Sequence, residues 1–271
     1  MTALQKAIKC LAMAFAIFLA VSIIGGILGA IGLFGGFFTG DTTLENVKTY
    51  SVTTEIHNLN VEINAADLYI KEGERFSVES NIKHLKVEEK GGLLTIQETK
   101  KFLGTYTGAV LTVYVPAGTV FENVSLTTGA GRLTIGNLSS GTLEFELGAG
   151  DVSIDTLIAA KSADIEGGAG RITVGNGALK NLELQMGVGQ LNLTSALTGN
   201  CKMDMGVGQS NLTLIGNRDD YKLDLEKGIG NITVDGKSVT DYGSSGDGSN
   251  RVEINGGIGA INIRFADGTG A

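Results

Sequence analysis

The sequence predicts an all-β protein: a single-stranded, parallel β-helix-like β-solenoid with coils of about 19–20 residues, preceded by one N-terminal transmembrane helix. Three observations carry that expectation. A Gly-apolar-Gly triplet recurs seven times at near-constant spacing, apolar and polar residues alternate on both sides of each triplet, and an uncharged apolar run precedes the array. Composition agrees. The 271 residues include 41 Gly but a single Pro (Pro116) and no Trp. Without a three-residue period this is not collagen, and without Ser, Gln or Pro enrichment it is not a flexible linker. A hydrophobic share of 42% suffices for one extended core or two small ones. A net charge of −8 argues against a nucleic-acid partner, whose phosphates need a basic surface. Cys10 and Cys201 are too few for a disulfide framework.

Taken in order, residues 1–10 form a cytoplasmic N-terminus and Leu11 to Phe38 the membrane helix. That run is 28 residues long and carries no charge, more than the roughly 20 needed to cross a bilayer. Lys6 and Lys9 precede it, and Asp41 and Glu45 follow. The positive-inside bias leaves the N-terminus in the cytoplasm and the rest outside, a single-pass integral membrane protein. The alternative is a cleaved signal peptide, which has a shorter apolar core of about 7–15 residues and a small-x-small cleavage site. Cys10 follows Ala7-Ile8-Lys9, a poor lipoprotein context. Gly25, Gly29, Gly32 and Gly36 share one helical stripe that would let two membrane helices approach and self-associate; simple tolerance of Gly in membrane helices is the other explanation. Residues 39–52 read as a linker, 53–265 as the repeat domain and 266–271 as a tail.

The triplets are Gly129-Ala130-Gly131, Gly148-Ala149-Gly150, Gly168-Ala169-Gly170, Gly187-Val188-Gly189, Gly206-Val207-Gly208, Gly228-Ile229-Gly230 and Gly257-Ile258-Gly259. Their steps are 19, 20, 19, 19, 22 and 29 residues, the mark of stacked coils in which each unit is laid on the next. Five and three residues before each first glycine stand apolar pairs such as Leu143/Phe145 and Leu182/Leu184, separated by polar residues. Four and six residues after it stand pairs such as Val152/Ile154, with Ser210 the one exception. Such alternation marks half-buried strands. Inward positions are odd before the glycines and at the middle residue of the triplet, then even after it. A change of parity requires a corner, and glycine is the residue that lets backbone turn and approach closely there. A degenerate copy at Leu59–Ile70 keeps the inward slots but has Asn64-Ala65-Ala66 at its corner, as terminal repeats are atypical. Between it and the array, Arg75–Ser80, Leu93–Glu98 and Ala109–Val115 read as further coils or hairpins with eroded corners. Eight coils at about 4.8 Å would make a rod on the order of 40 Å long.

Stacking turns equivalent residues into columns. Flanking the first apolar pair, Glu144, Glu146, Asp164, Glu166, Glu183, Asp204, Asp224, Glu226 and Glu253 make an acidic face, with Glu62 in the degenerate copy. Such a face suits divalent cations or a cationic partner, or serves only as a solvated surface. The calcium-binding nonapeptide repeat is excluded, because its aspartate position is apolar here, as at Ile172. After the glycines, Arg132, Asp151 and Arg171 place opposite charges on neighbouring coils. Two residues further on, Thr134, Ser153, Thr173, Asn192, Asn211, Thr233 and Asn262 form an Asn/Thr column suited to supporting flat sheets or touching a glycan. Neither His57 nor His84 sits in a metal-ligand spacing, and the Gly-x-Gly copies lack the third glycine and following helix of a dinucleotide site. The Gly/Ser-rich stretch Asp235–Asn250 reads as a flexible loop. The expectation is a non-catalytic protein with no cofactor and no bound metal.

One N-terminal membrane helix, the Val115–Gly118 Val-Pro-Ala-Gly entry, Phe121-x-x-Val124 and the serial Gly-x-Gly-x-apolar-x-apolar coils together resemble a bacterial family. It is the membrane-anchored β-strand-repeat domain of unknown function usually labelled "putative adhesin". The resemblance covers Thr53 to Phe265 and implies a single-pass protein of the bacterial cell membrane with its repeat domain outside. Its implied role is a binding or adhesion module for an envelope glycan or protein. The alternative is an envelope-stress component that senses or sequesters cationic peptides on the acidic face.

Overall fold

Strict alternation of side chains produces long, slowly turning strands and almost nothing else. The computed structural model describes residues 44–99, 108–239 and 242–266. The expected membrane helix and its Gly25, Gly29, Gly32 and Gly36 stripe lie outside the described residues. Among the described residues no helix is long and apolar enough to cross a membrane.

The N-terminal part holds seven strands: β1 (Leu44–Ser51), β2 (Asn58–Ala65), β3 (Asp67–Gly73), β4 (Ser77–Ile82), β5 (Leu85–Lys90), β6 (Leu93–Glu98) and β7 (Val110–Pro116). The regular array follows as β8 (Val120–Lys180), β9 (Leu182–Thr198) and β10 (Asn200–Ile215). After a short 3-10 turn at Arg218–Asp220 come β11 (Tyr221–Glu226), β12 (Ile229–Val234), β13 (Lys237–Ser238), β14 (Tyr242–Ser245), β15 (Asn250–Asn255) and β16 (Ile258–Ala266). β1 occupies part of the stretch expected to be linker. The Gly/Ser-rich stretch after Asp235 is likewise not only loop, since it contributes β13 and β14.

The array is a parallel β-solenoid. β9 lies on β8 and β10 on β9 in parallel register, glycine over glycine: Gly170 opposite Gly189 and Gly189 opposite Gly208. Inward residues are buried, as Leu143, Phe145 and Leu147 show, while Glu144 and Glu146 between them are exposed. The middle residue of the triplet departs from expectation. It lies on the outside of the corner, with Ile229 47% exposed; the inward residue is the one before the triplet, buried at Leu147, Met186 and Met205. The four residues from the first glycine to the third residue beyond it all face outward, which is how the parity changes. Each coil also has a third inward stretch that the alternation around the glycines does not reveal, formed by Leu138 and Ser140, Leu157 and Ala159, Leu179, then Ser195 and Leu197.

The corners show why glycine is required. A Cβ on Gly150 would fall on the carbonyl oxygen of Gly131, inside the 3.0 Å that real Cβ atoms respect, and its φ is +147°. The same obstruction recurs up the column, always against the coil beneath. It also accounts for the degenerate copy. Gly129 and Gly131 rest on Asn64 and Ala66, but Asn64 and Ala66 lie at the junction of β2 and β3, which pair with β6 and β7 on their other side. Neither needs a positive φ, and the Asn64 backbone and side-chain amides both donate to Glu98 Oε2, each at 3.0 Å.

Coil order departs from chain order at both ends, which corrects the expectation that each unit is simply laid on the next. β10 pairs in parallel not with β11 and β12 but with β15 and β16, which carry Gly257 and Gly259. β11 and β12, carrying Gly228 and Gly230, lie outside them. At the N-terminal end β2 and β3 lie between the array and the β6/β7 coil. The first and last coils of the chain are therefore interior. The outer coils are closed by antiparallel strands: β4 on β7 with β1 beyond it, β5 on β6, β13 on β12 and β14 on β11. Such capping covers the parallel edges of the coils and leaves short antiparallel strands at the margins, one way edges are blunted against aggregation. Tyr221 fills the core where the chain leaves β10. Its hydroxyl donates to Ile215 O at 2.7 Å and accepts from Leu197 N–H at 3.2 Å, while its ring lies 5.5 Å from that of Phe265.

Candidate functional site

Alternation puts every second side chain of the first strand of each coil into solvent, so its character is set by sequence alone. Glu144, Glu146, Asp164, Glu166 and Glu183 are all exposed on three successive coils. Thr127 Oγ1 donates to Glu146 Oε2 at 3.4 Å at the lower end. The upper end differs from a purely acidic column, because the inserted coil interrupts it. Asn255 stands between Asp204 and Glu226, and Glu253 between Lys202 and Asp224. Chain order would have stacked Asp204 on Glu226; the observed order parts these but sets Glu253 opposite Asp224, with Arg251 paired to both.

Ion pairs neutralise much of that upper end. Lys202 Nζ lies 3.0 Å from Asp204 and Arg251 Nε 2.6 Å from Asp224, while Asn255 Nδ2 donates to Asp204 Oδ1 at 2.6 Å. The hydrogen bond from Arg251 holds the Asp224 carboxyl below the usual carboxylate range. The carboxylates expected to form one face thus divide: Glu253 pairs with Arg251 at 3.5 Å, and Glu62 accepts from Gln97 Nε2 at 2.7 Å. Glu144, Glu146, Asp164, Glu166 and Glu183 come together, whereas Asp204 and Asp224 belong to a mixed-charge cluster and Glu226 is set apart by Asn255. Among the described residues no group of three or more His, Cys, Asp and Glu could hold a metal ion.

The second strand presents a different chemistry. Asn262 Nδ2 donates to Asn211 Oδ1 at 3.0 Å, Asn211 Nδ2 to Asn192 Oδ1 at 2.9 Å, and Asn192 Nδ2 to Thr173 Oγ1 at 3.4 Å. Thr233 Oγ1 donates to Asn262 Oδ1 at 2.9 Å. From Thr173 to Thr233 the expected Asn/Thr column is thus one hydrogen-bonded ladder, running through the inserted coil. Gln190 and Gln209 join it from the side, their Nε2 atoms 3.5 and 3.4 Å from Asn192 and Asn211. Sequence reasoning passed over both glutamines. The available signal was a near-exact duplication: residues 186–194 and 205–213 differ only at Leu191/Ser210. Beside the ladder, Arg132 pairs with Asp67 at 3.8 Å and Arg171 with Asp151 at 3.7 Å.

Two recesses under the Gly-x-Gly corners have volumes near 20 Å³, room for about a water molecule. Cys201 is buried, and burial raises its thiol pKa.

Residues 77–264 match the family model described as Toastrack DUF4097, well over half of the chain. The chain belongs to this family. The Toastrack match begins at β4 and runs almost to the end of β16, spanning both faces just described. Among solved structures, 13 chains are similar. A "putative cell adhesion protein" from Clostridium sporogenes is 18% identical, with 82% of this chain and 99% of that chain covered and a TM-score of 0.33. A "putative adhesin" from Parabacteroides distasonis is 15% identical, covering 84% and 98%, with a TM-score of 0.45. A "putative lipid binding protein" from the same organism is 14% identical, covering 80% and 96%, with a TM-score of 0.37. At such scores the likeness carries no further argument. No curated protein matches the chain.

Proposed function

We propose that this Toastrack protein is a membrane-anchored, extracytoplasmic module of the bacterial envelope that binds rather than catalyses. The observation that carries the reading is the form of its exposed surface. Side chains are displayed in straight columns at the spacing of stacked strands, about 4.8 Å, and the recesses hold little more than water. Columns suit an extended ligand that repeats along its length, whereas catalysis on a small substrate needs a concave site that excludes water. The uncharged run Leu11–Phe38 supplies the anchor, with Lys6 and Lys9 on its cytoplasmic side.

The test uses the full chain reconstituted in nanodiscs and presented to isolated cell envelopes at low and high salt. Saturable binding that survives high salt is expected; none at either salt overturns the reading. Protease shaving of intact cells should remove the solenoid, and its complete protection would refute the orientation. A second reading follows from the exposed run Glu144, Glu146, Asp164, Glu166 and Glu183, whose upper end stands opposite Lys202. On that reading the chain sequesters cationic peptides, and binding weakens steeply with salt.

A further inference from the structure

The two duplicated coils carry an outward face without a charged residue. Gln190, Asn192 and Thr194 on one stand directly opposite Gln209, Asn211 and Thr213 on the next. In a chain of net charge −8, and on the strand following the acidic columns, this is a neutral window of amides and hydroxyls. We propose that this face binds the hydroxyl groups of an extended, uncharged polysaccharide. The proposal rests on the binding-module reading above and names its ligand class.

The ladder bears on this in two ways. First, it fixes the side chains. Asn211 Oδ1 accepts from both Asn262 Nδ2 and Gln209 Nε2, and Asn192 Oδ1 accepts from both Asn211 Nδ2 and Gln190 Nε2. Both asparagine amides are held in one orientation before any ligand arrives, so binding loses little rotamer freedom. Second, it defines what remains available. Each amide nitrogen carries two N–H groups and the ladder uses one. The remaining N–H groups, the Thr194 and Thr213 hydroxyls and the Gln209 carbonyl form a row of mixed donors and acceptors. Sugar hydroxyls both donate and accept, and match such a row without a charge on either partner. Two arginines flank the row: Arg171, engaged by Asp151 and by Gln190 Oε1 at 3.2 Å, and the exposed Arg264, opposite Thr213 on the coil above.

The experiment measures binding of the full chain in nanodiscs to β-1,4-linked glucose and N-acetylglucosamine oligomers of increasing length, with polygalacturonate as the anionic comparator. The wild type should bind a neutral oligomer more tightly as it lengthens and should ignore the anionic polymer. The double variant Gln190→Ala/Gln209→Ala spares the Asn–Asn ladder. It should lose about tenfold in affinity, the worth of one or two hydrogen bonds, at unchanged thermal unfolding. Glu144→Gln/Glu146→Gln should leave binding unchanged. Indifference to the glutamine substitutions, preference for the anionic polymer, or no neutral oligomer bound would overturn the proposal. Envelope binding by the same preparation separates the two claims: if it persists while oligomer binding fails, only the neutral face falls, and if both fail, the binding-module reading falls with it.

Discussion

Replacing Gly150 by alanine tests the directional logic of the corner. Gly150 has a φ of +147°, and an added Cβ would lie on the Gly131 carbonyl oxygen of the coil beneath. Holding a non-glycine residue in that backbone region costs about 1–3 kcal/mol. Relieving the overlap means parting two coils at the corner and weakening one or two hydrogen bonds there, at about 0.5–1.5 kcal/mol each. The expected loss is about 4 kcal/mol. Ala66 occupies the equivalent place on the degenerate coil, at an ordinary φ. There Ala66→Gly should cost only about 0.5–1 kcal/mol, the entropy of an added glycine. Urea unfolding followed by circular dichroism measures both through the midpoint at constant m. Hydrogen exchange should place the Gly150→Ala loss at neighbouring coils, because a solenoid is coupled only to its neighbours. A Gly150→Ala loss no larger than that of Ala66→Gly would refute the account of why the glycines are there.

Three further predictions concern the C-terminal end. Tyr221→Phe leaves Leu197 N–H and Ile215 C=O without their partner and should destabilise by about 1–3 kcal/mol in thermal unfolding. Cys201 stands opposite Val252 across β10 and β15, so in a Cys10→Ser background Val252→Cys should form an intrachain disulfide with Cys201, seen by mass spectrometry. Oxidation should need alkaline pH, because burial raises the Cys201 thiol pKa; failure to cross-link after long alkaline oxidation would argue for coils in chain order. Arg251 depresses the folded pKa of Asp224, so that pair's contribution is complete above the unfolded carboxylate value of about 3.9 and is lost as pH falls through the lower folded value. Wild type should therefore lose stability from about pH 4 downward more steeply than Asp224→Asn; identical acid limbs would refute the coupling.

Legibility followed the range of the interaction. Leu143, Phe145, Val152 and Ile154 announced their burial through alternation with polar neighbours, and Gly148 and Gly150 announced a corner through the change of parity. The acidic run Glu144 to Glu183 and the Asn/Thr column followed from the same period, because columns arise wherever a coil length repeats. The third inward stretch was less legible. Leu157/Ala159 and Ser195/Leu197 are small or interrupted, and the step from Gly168 to Gly187 carries a register shift after Val174 that blurs their phase. Ile229 and its equivalents are apolar, which in an alternating strand signals burial, yet they lie outside because a corner faces four successive residues outward.

By itself the sequence determined the coil, its two principal inward pairs, the need for glycine at the corner and the chemistry of each outward column. All of these depend on residues close in the chain and on a backbone that alternates by two. Only the tertiary structure decided which coil lies on which. The seven glycine-cornered coils offer nearly the same parallel edge and the same Gly-x-Gly corner, so among them the alternation accepts either order. The choice is made by long-range contacts: Arg251 bonded to Asp224, Asn255 separating Asp204 from Glu226, Asn262 joining the ladder, and Tyr221 closing the core beneath them.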